Sequence, residues 1–209
     1  MTARDWVAWH AAYDDDTSDL ARRLRRVQAC LDDWLDERPE PLLRVVSACA
    51  GEGRDLLGVL ERRADAGRVR ARLIEFDPGI AAAARAAAAG LAGVEVACAD
   101  AGDLASYAGA VPADLVLLAG VLGNITDDDA RATIAALPAL CAEGATVIWT
   151  RGRAGRDVTP ALRAWLAAAG FAERAFHAPG DSPFSVGVHR FDGRPRPLPA
   201  AGRIFAFIA

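Results

Sequence analysis

The sequence has 209 residues, of which 53% are hydrophobic, and its formal net charge at pH 7 is −4. This length and composition predict one folded domain with a substantial core and exclude an intrinsically disordered chain. The acidic charge argues against a nucleic-acid partner, because duplex-binding proteins usually carry a concentrated basic patch. The N-terminus lacks the pattern of a signal peptide and no apolar run is long enough to cross a bilayer, so we expect a cytoplasmic protein without a membrane partner.

The N-terminal part of the chain predicts two helices. Residues 2–13 place Trp6, Trp9, His10 and Tyr13 at helical spacing, which fits either a helix packed on the domain or a lid over a ligand. A second apolar stripe runs from Leu20 to Leu35 and ends before Pro39, and its arginine cluster at residues 22–26 is interpreted as a solvated face. We therefore divide the chain into an N-terminal helical lid, residues 1–41, and a ligand-binding domain, residues 42–209.

The chain is organised around a strand, a tight turn and a helix start at residues 44–57. Gly51 and Gly53 lie in the turn, where a backbone without Cβ atoms lets a ligand approach closely. The next apolar strand ends in Glu75, roughly twenty positions on, the separation at which a carboxylate reaches ribose hydroxyls. A nicotinamide site would need a third glycine where Leu56 stands, so that interpretation loses support.

From residue 42 onward, strand and helix patterns alternate. Strands are predicted at residues 42–49, 69–76, 94–99, 113–119 and 144–150, with helices at 53–66, 78–89, 126–138 and 159–170. Two strands without a helix between them follow, at residues 171–177 and 184–191, and residues 204–208 could add an edge strand. The pattern predicts a doubly wound, Rossmann-like α/β fold with a seven-stranded, mostly parallel sheet and a terminal antiparallel β-hairpin.

Between residues 44 and 191 the chain resembles the class I S-adenosylmethionine-dependent methyltransferases. The family pattern after the first strand is an acidic residue, an apolar residue and Gly-x-Gly-x-Gly. This sequence keeps Gly51 and Gly53 but has Ser47 at the acidic position and Cys49 at the first glycine position. The terminal hairpin is the topological feature that separates this family from NAD-binding sheets.

The resemblance implies an S-adenosyl-L-methionine site at the carboxyl ends of the strands. The turn residues would hold the methionine part, Glu75 with Phe76 the ribose (Asp77 being the fallback), and Asp100 with Ala101 the adenine. Ala119, at the end of the fourth strand, would lie next to the methionine end of the cofactor and face the substrate, and Tyr13 would cover the cofactor carboxylate. The implied cofactor-binding residues are Tyr13, Cys49, Ala50, Gly51, Gly53, Glu75, Phe76, Asp100, Ala101 and Ala119.

The resemblance further implies a methyltransferase that acts on a small molecule. His10 is the first candidate for a general base, because imidazole titrates near neutrality, and His177 and His189 are alternatives. Asn124 could orient a polar substrate, and Arg151 and Arg153 could meet an anionic one.

No metal site and no disulfide framework is predicted, because Cys30, Cys49, Cys98 and Cys141 are widely separated. Two other functions stay open. Ser47 and Cys49 favour a non-catalytic binding or scaffold protein on the same fold. A nucleic-acid methyltransferase is disfavoured by the charge and by the absence of an Asn/Asp-Pro-Pro-Tyr motif after the fourth strand.

Overall fold

The protein is described here by a computed structural model that covers residue 13 and residues 15–208. Five α-helices are labelled in chain order: α1 Asp19–Asp36, α2 Arg54–Leu60, α3 Pro78–Ala87, α4 Asp127–Ala136 and α5 Thr159–Ala168. Seven strands accompany them: β1 Leu43–Ala48, β2 Val69–Glu75, β3 Val94–Cys98, β4 Ala113–Leu118, β5 Cys141–Gly152, β6 Phe171–His177 and β7 Phe184–Phe191.

The strands form one seven-stranded sheet in the order β3-β2-β1-β4-β5-β7-β6. The first five strands run parallel, whereas β7 is antiparallel to both β5 and β6. The chain order reverses direction across the sheet at β1, so the loops after β1 and β4 flank the point where ligands bind in open α/β sheets. The predicted doubly wound fold with a terminal antiparallel hairpin is confirmed.

The sheet separates two hydrophobic clusters, one on each face. In β1, Val45 belongs to the cluster with α1 and α2, and the next residue, Val46, belongs to the cluster with α4 and α5. In β4, Leu115 and Val116 divide between the two clusters in the same way. Successive side chains of a strand point to opposite faces, so these apolar runs bury both faces of the central strands.

Side-chain caps define where three of the helices begin. Ser18 Oγ accepts from the Ala21 N–H at the start of α1, and Thr126 Oγ1 accepts from the Asp129 N–H at the start of α4. Asp77 caps α3 by accepting from the Gly79 N–H at 2.8 Å and the Ile80 N–H at 3.0 Å. Each cap satisfies backbone donors that have no partner inside the helix.

Helix α1 is packed into the domain through its apolar stripe. Val27, Leu31 and Leu35 are almost completely buried in the cluster that also holds residues of β1, α2 and β7. The first predicted helix, residues 2–13, lies outside the described residues apart from Tyr13. The role of residues 1–41 as a lid therefore stays a prediction.

Two predictions from the sequence are wrong, one about the end of a helix and one about an additional strand. Helix α2 ends at Leu60 instead of continuing to residue 66, because the segment after it is drawn toward α1, where Arg63 forms ion pairs with Asp32 and Asp36. The segment at residues 204–208 does not form an edge strand, and makes only an isolated bridge between Ile125 and Phe207.

The C-terminal segment instead runs back across the loops after β3 and β4. The Ile204 N–H donates to the Gly102 carbonyl at 2.8 Å, and the Ile208 N–H donates to the Asn124 carbonyl at 2.8 Å. A Cβ atom on Gly102 would lie 2.3 Å from the Phe205 carbonyl oxygen, so this approach requires glycine. Within the described part of the chain, no helix is long and apolar enough to span a bilayer.

Candidate functional site

A cleft of about 320 Å³ lies at the carboxyl ends of β1, β2 and β4. Eight of the residues predicted from the sequence line it: Tyr13, Cys49, Ala50, Gly51, Glu75, Phe76, Ala119 and Asn124. The fallback residue Asp77 also lines it, as do Arg23, Asp55, Ile80, Gly120 and Phe207. A larger groove of about 720 Å³ lies between α1 and the strands β5, β6 and β7, and its walls carry many charged side chains of both signs. Of the residues predicted from the sequence, that groove is bordered by His177, an alternative base, and by none of the predicted cofactor-binding residues, so the smaller cleft is the candidate site.

The turn after β1 is made by three left-handed residues at alternate positions. Cys49 has φ 51°, Gly51 has φ 58° and Gly53 has φ 77°. Cys49 thus keeps the backbone conformation for which glycine is the usual residue, at a cost of about 1 kcal/mol or more. Gly53 is buried and a Cβ atom there would lie 2.7 Å from side-chain atoms of Leu57 and Leu73. Gly53 therefore lets α2 pack onto the sheet and does not itself line the cleft.

Glu75 is anchored at both carboxylate oxygens by the backbone. Its Oε2 accepts from the Gly51 N–H and its Oε1 accepts from the Asp77 N–H, each at 2.9 Å. A carboxylate has about four acceptor positions, so lone pairs remain for a ligand hydroxyl. The Asp77 carboxylate, by contrast, is used to cap α3. Beside Glu75, the Phe76 side chain is 73% exposed and offers an apolar surface to the cleft.

Asp100 and Ala101, predicted to bind adenine, do not line the cleft. Asp100 Oδ1 accepts from the Gly102 N–H at 2.8 Å, and Oδ2 pairs with the Arg203 guanidinium at 2.7 Å. Ala101 is buried and its carbonyl accepts from the Tyr107 hydroxyl. Asp100 is nonetheless near the turn, since burial and then the charges of Glu75 and Asp100 raise the pKa of the Cys49 thiol. The adenine role of Asp100 stays a prediction, and the sequence did not indicate Arg203 as its partner.

The opposite wall is formed after β4. Gly120, with φ 78°, donates its N–H to Thr150 Oγ1 at 2.8 Å, which fixes the strand end. Asn124 Nδ2 donates to the Gly120 carbonyl at 2.6 Å, so the side chain of Asn124 is held within the loop that lines the cleft. Phe207 enters this wall from the C-terminal segment, and only the tertiary structure brings it there.

The histidine and arginine candidates fall in different places. His10 lies outside the described residues. His189 is buried, accepts at Nδ1 from Trp149 Nε1 at 3.2 Å and has a pKa that burial lowers to about 4, so it is a neutral core residue. His177 borders the larger groove, away from the cleft. The Arg151 guanidinium donates to the Leu122 carbonyl, and that of Arg153 to the carbonyls of the β6–β7 loop, which assigns both a structural role.

Sequence reasoning missed two charged residues of the cleft, Arg23 and Asp55. Arg23 belongs to the arginine cluster that we interpreted as solvated, yet its guanidinium donates to Tyr13 Oη at 2.8 Å inside the cleft. Burial raises the pKa of Tyr13 to about 12. Asp55 is partly buried in the first turn of α2, and this burial raises its pKa to about 6, partly offset by the charge of Arg23. The only sequence signal for Asp55 was its position just after the glycine turn.

Among the described residues, no group of three or more histidine, cysteine or acidic side chains is placed to hold a metal ion. The four cysteines are free thiols, and those of Cys30 and Cys141 are buried.

Comparisons with known proteins identify the fold. No protein-family model matches the sequence, and no curated protein matches it either. Among solved structures, magnesium protoporphyrin IX methyltransferase from Synechocystis PCC 6803, with bound S-adenosylmethionine, is similar over 90% of this chain and 91% of its own, with a TM-score of 0.70 and 16% identity.

Two further structures have the same architecture. The N-methyltransferase NodS from Bradyrhizobium japonicum WM9, in complex with S-adenosylhomocysteine, matches 86% of this chain and 90% of its own at a TM-score of 0.65 and 15% identity. An O-methyltransferase family protein from Burkholderia thailandensis matches 70% of this chain at a TM-score of 0.57 and 18% identity, and the match spans 50% of that protein's length. Together with the strand order and the antiparallel end of the sheet, these likenesses show that the chain has the fold of the class I S-adenosylmethionine-dependent methyltransferases.

Proposed function

We propose that the protein is an S-adenosylmethionine-dependent methyltransferase that transfers a methyl group to a small-molecule acceptor. The observation that supports this most is the Glu75 carboxylate, which two backbone N–H groups hold at the cleft wall beside the glycine turn. A carboxylate fixed in this way is oriented before a ligand arrives, so its binding needs little rearrangement of the site.

The residues present fit an adenosyl cofactor. Ribose hydroxyls can donate to the lone pairs that remain on Glu75, and the exposed Phe76 ring can pack against the adenine. The open turn of Cys49, Ala50 and Gly51 leaves room for the thioether chain. The cleft volume of about 320 Å³ is within the size range of cofactor sites.

The proposed reaction requires the protein mainly to align the acceptor with the methyl group of the cofactor. S-adenosylmethionine, when bound, supplies an electrophilic methyl group on a sulfonium. Ala119, Gly120 and Asn124 would orient the acceptor in line with that methyl group, and the Phe207 ring would keep water out on the same side. We keep His10 as the proposed general base for an acceptor that carries a proton.

A small acceptor is supported by the modest cleft volume of about 320 Å³ and by the acidic net charge, and the cytoplasm stays the proposed location. A methyltransferase of nucleic acids would instead bind RNA or DNA with affinity that falls steeply as salt is added. A scaffold protein on the same fold would bind the cofactor without transferring its methyl group.

The binding site is tested by isothermal titration with S-adenosylmethionine and S-adenosylhomocysteine. We expect the wild type to bind both and Glu75→Ala to lose about tenfold or more in affinity, because the charged acceptor for the ribose is removed. Glu95→Ala is the matched control, since Glu95 is an exposed glutamate of the neighbouring strand β3 that pairs with Arg72. Full-strength binding by Glu75→Ala would refute the site assignment.

Catalysis is tested separately, with methyl-labelled cofactor and a fraction of small metabolites. Label transferred to an organic product would support the enzyme, whereas binding without any transfer would favour the scaffold function. Label recovered in added RNA would favour the nucleic-acid methyltransferase.

A further inference from the structure

The outward face of helix α1 carries charges of opposite sign in its two halves. Arg22, Arg26, Ala29, Asp33 and the C-cap Glu37 follow one another at intervals of four, three, four and four residues, so they share one face of the helix. This face is opposite to the stripe at residues 27, 31 and 35 that packs into the core. We call these five residues the α1 ridge, which is positive toward the start of the helix and negative toward its end.

This order of charges does not stabilise α1 itself. The macrodipole of a helix favours acidic side chains near its N-terminus and basic ones near its C-terminus. The last turn of α1 contains Asp33 and Asp36 and no basic residue, which is the unfavourable order. Asp36 is compensated by an ion pair with Arg63 at 2.7 Å. Asp33 has no ion pair with any residue that the structure describes.

Three charges of the α1 ridge are available to another molecule. Across residue 13 and residues 15–208, the side chains of Arg26, Asp33 and Glu37 form no hydrogen bond and no ion pair, and all three residues are exposed. Arg22 pairs with the exposed carboxylate of Asp181 at 2.8 Å. The ridge therefore presents charges of both signs that the chain itself uses little.

The basic end of the ridge borders a groove of about 660 Å³ between α1 and the strands β6 and β7. Its charged lining consists of Arg22, Arg25 and Arg26, and none of its described lining residues is acidic. Phe176 and Phe184 add apolar surface to the same groove. This end is therefore suited to a surface that carries acidic side chains.

The acidic end of the ridge borders the larger groove of about 720 Å³, where Asp33 and Glu37 are joined by Glu40 and Glu143. Two of the three arginines of this groove, at positions 38 and 190, are paired with acidic residues of the same chain. Arg174 is the third. The ridge side of this groove is therefore suited to a surface that carries basic side chains.

The α1 ridge is complementary to a second copy of itself. When two ridges lie antiparallel about a two-fold axis beside Ala29, Arg26 of each copy is opposite Asp33 of the other, and Arg22 is opposite Glu37. Both pairs are centred on the same point, between residues 29 and 30, so one axis satisfies both. The small side chain of Ala29 lets the two helices approach closely at that axis.

We infer that the protein forms a two-fold symmetric dimer through the α1 ridge, with a second copy of this chain as the partner. The antiparallel arrangement gives each ridge charge an opposite charge and places the two helix dipoles in opposite directions. The dimer is expected to be weak and sensitive to salt, because each exposed ion pair contributes little and is screened. The inference does not depend on the proposed function, since no ligand takes part in the interface.

The oligomeric state is measured by sedimentation velocity over protein concentrations of about 2–200 µM, a range that covers micromolar dissociation constants. We expect a monomer–dimer equilibrium within this range at about 50 mM salt. At about 500 mM salt the dissociation constant should rise at least about fivefold.

Reversing one charge of the ridge should prevent dimerisation. Arg26→Glu and Asp33→Arg should each weaken the dimer about tenfold or more, because each change creates two like-charge pairs across the axis. The double variant should return to within about threefold of the wild type. An equimolar mixture of the two single variants should also dimerise, because each variant then meets opposite charges on the other. Only a contact between molecules gives that result.

Arg131→Glu is the matched control, since it makes the same charge change at an exposed arginine of α4, on the opposite face of the sheet. It should leave the dissociation constant within about twofold, and circular dichroism checks that every variant is folded. A wild type that stays monomeric at about 200 µM and low salt overturns the inference. So does a dimer that neither single reversal weakens. A monomer that binds polyglutamate in a salt-dependent manner would also overturn it and assign the basic groove to an acidic partner.

Discussion

Replacing Asp55 by asparagine is expected to stabilise the unliganded protein near neutral pH. The substitution keeps the shape of the side chain and removes a charge that, in the described part of the chain, receives no hydrogen bond. Burial raises the pKa of Asp55 from 3.8 to about 6, so the folded state disfavours the ionised form.

The magnitude follows from the linkage between proton binding and folding. Well below the unfolded-state pKa of 3.8 the carboxyl is protonated in both the folded and the unfolded states and carries no penalty. The penalty grows as the pH rises to about 6 and is then constant at about 3 kcal/mol, since one pH unit corresponds to about 1.4 kcal/mol. Asp55 is partly exposed to water in the cleft, so about half of this value, 1–2 kcal/mol, is the realistic gain for Asp55→Asn.

Urea unfolding of wild type and variant at about pH 5 and about pH 8 measures the effect. The gain in unfolding free energy from Asp55→Asn should be larger at about pH 8 than at about pH 5 by about 0.7 kcal/mol. At the lower pH part of the penalty in the wild type is absent, because Asp55 is largely protonated in the folded state. Any pH-independent effect of the substitution cancels in this difference.

Asp157→Asn is the control of opposite sign. Hydrogen bonds from Thr159 lower the pKa of Asp157, so its ionised form contributes stability that is lost as the pH falls. If Asp55→Asn is no more stable than the wild type at either pH, or gains more at the lower pH, Asp55 is not an uncompensated carboxylate.

Two further predictions concern backbone conformation and packing. At Cys49, φ 51° is left-handed, so the free energy of unfolding of Cys49→Gly should lie within about 1 kcal/mol of the wild-type value. The β-branched Cys49→Val should lose about 1–3 kcal/mol of this free energy, measured by urea unfolding. Equal stability of the two variants would contradict the backbone strain at Cys49. A Cβ atom on Gly187 would lie 2.2 Å from the ring of the buried Trp149, so Gly187→Ala should lose about 1–3 kcal/mol and melt at a lower temperature. Gly152→Ala, at the end of β5 with no atom within 4 Å of the added Cβ, is the control, and equal melting temperatures for these two variants would refute the clash.

The terminal hairpin shows how much local pattern can determine. The bounds of β6 and β7 agree with those predicted, Phe171–His177 and Phe184–Phe191. Each is a short strand-like run with glycine or proline close to both ends, and the absence of a helix between them makes an antiparallel pair the natural result. The same local reasoning placed the glycine turn and Glu75 at one edge of the sheet, and the resemblance to the methyltransferases named most of the other predicted residues that line the cleft.

The end of α2 and the course of the C-terminal segment could not be predicted in this way. The residues after Leu60 continue a helical pattern, but Arg63 pairs with Asp32 and Asp36 of α1, which are about thirty positions earlier in the chain. The apolar run at residues 204–208 predicts a strand. Its backbone instead forms hydrogen bonds to the loops after β3 and β4 and not to a sheet edge.

The sequence by itself determined the sheet, its reversed end and the glycine turn with Glu75, because strand alternation, helix caps and turn residues act between near neighbours in the chain. Only the tertiary structure decided that Arg23 and Asp55 line the same cleft and that Arg203 forms an ion pair with Asp100. The physical reason is that electrostatic pairing depends on distance in space and on how much water is removed, and neither quantity is encoded in the spacing of residues along the chain.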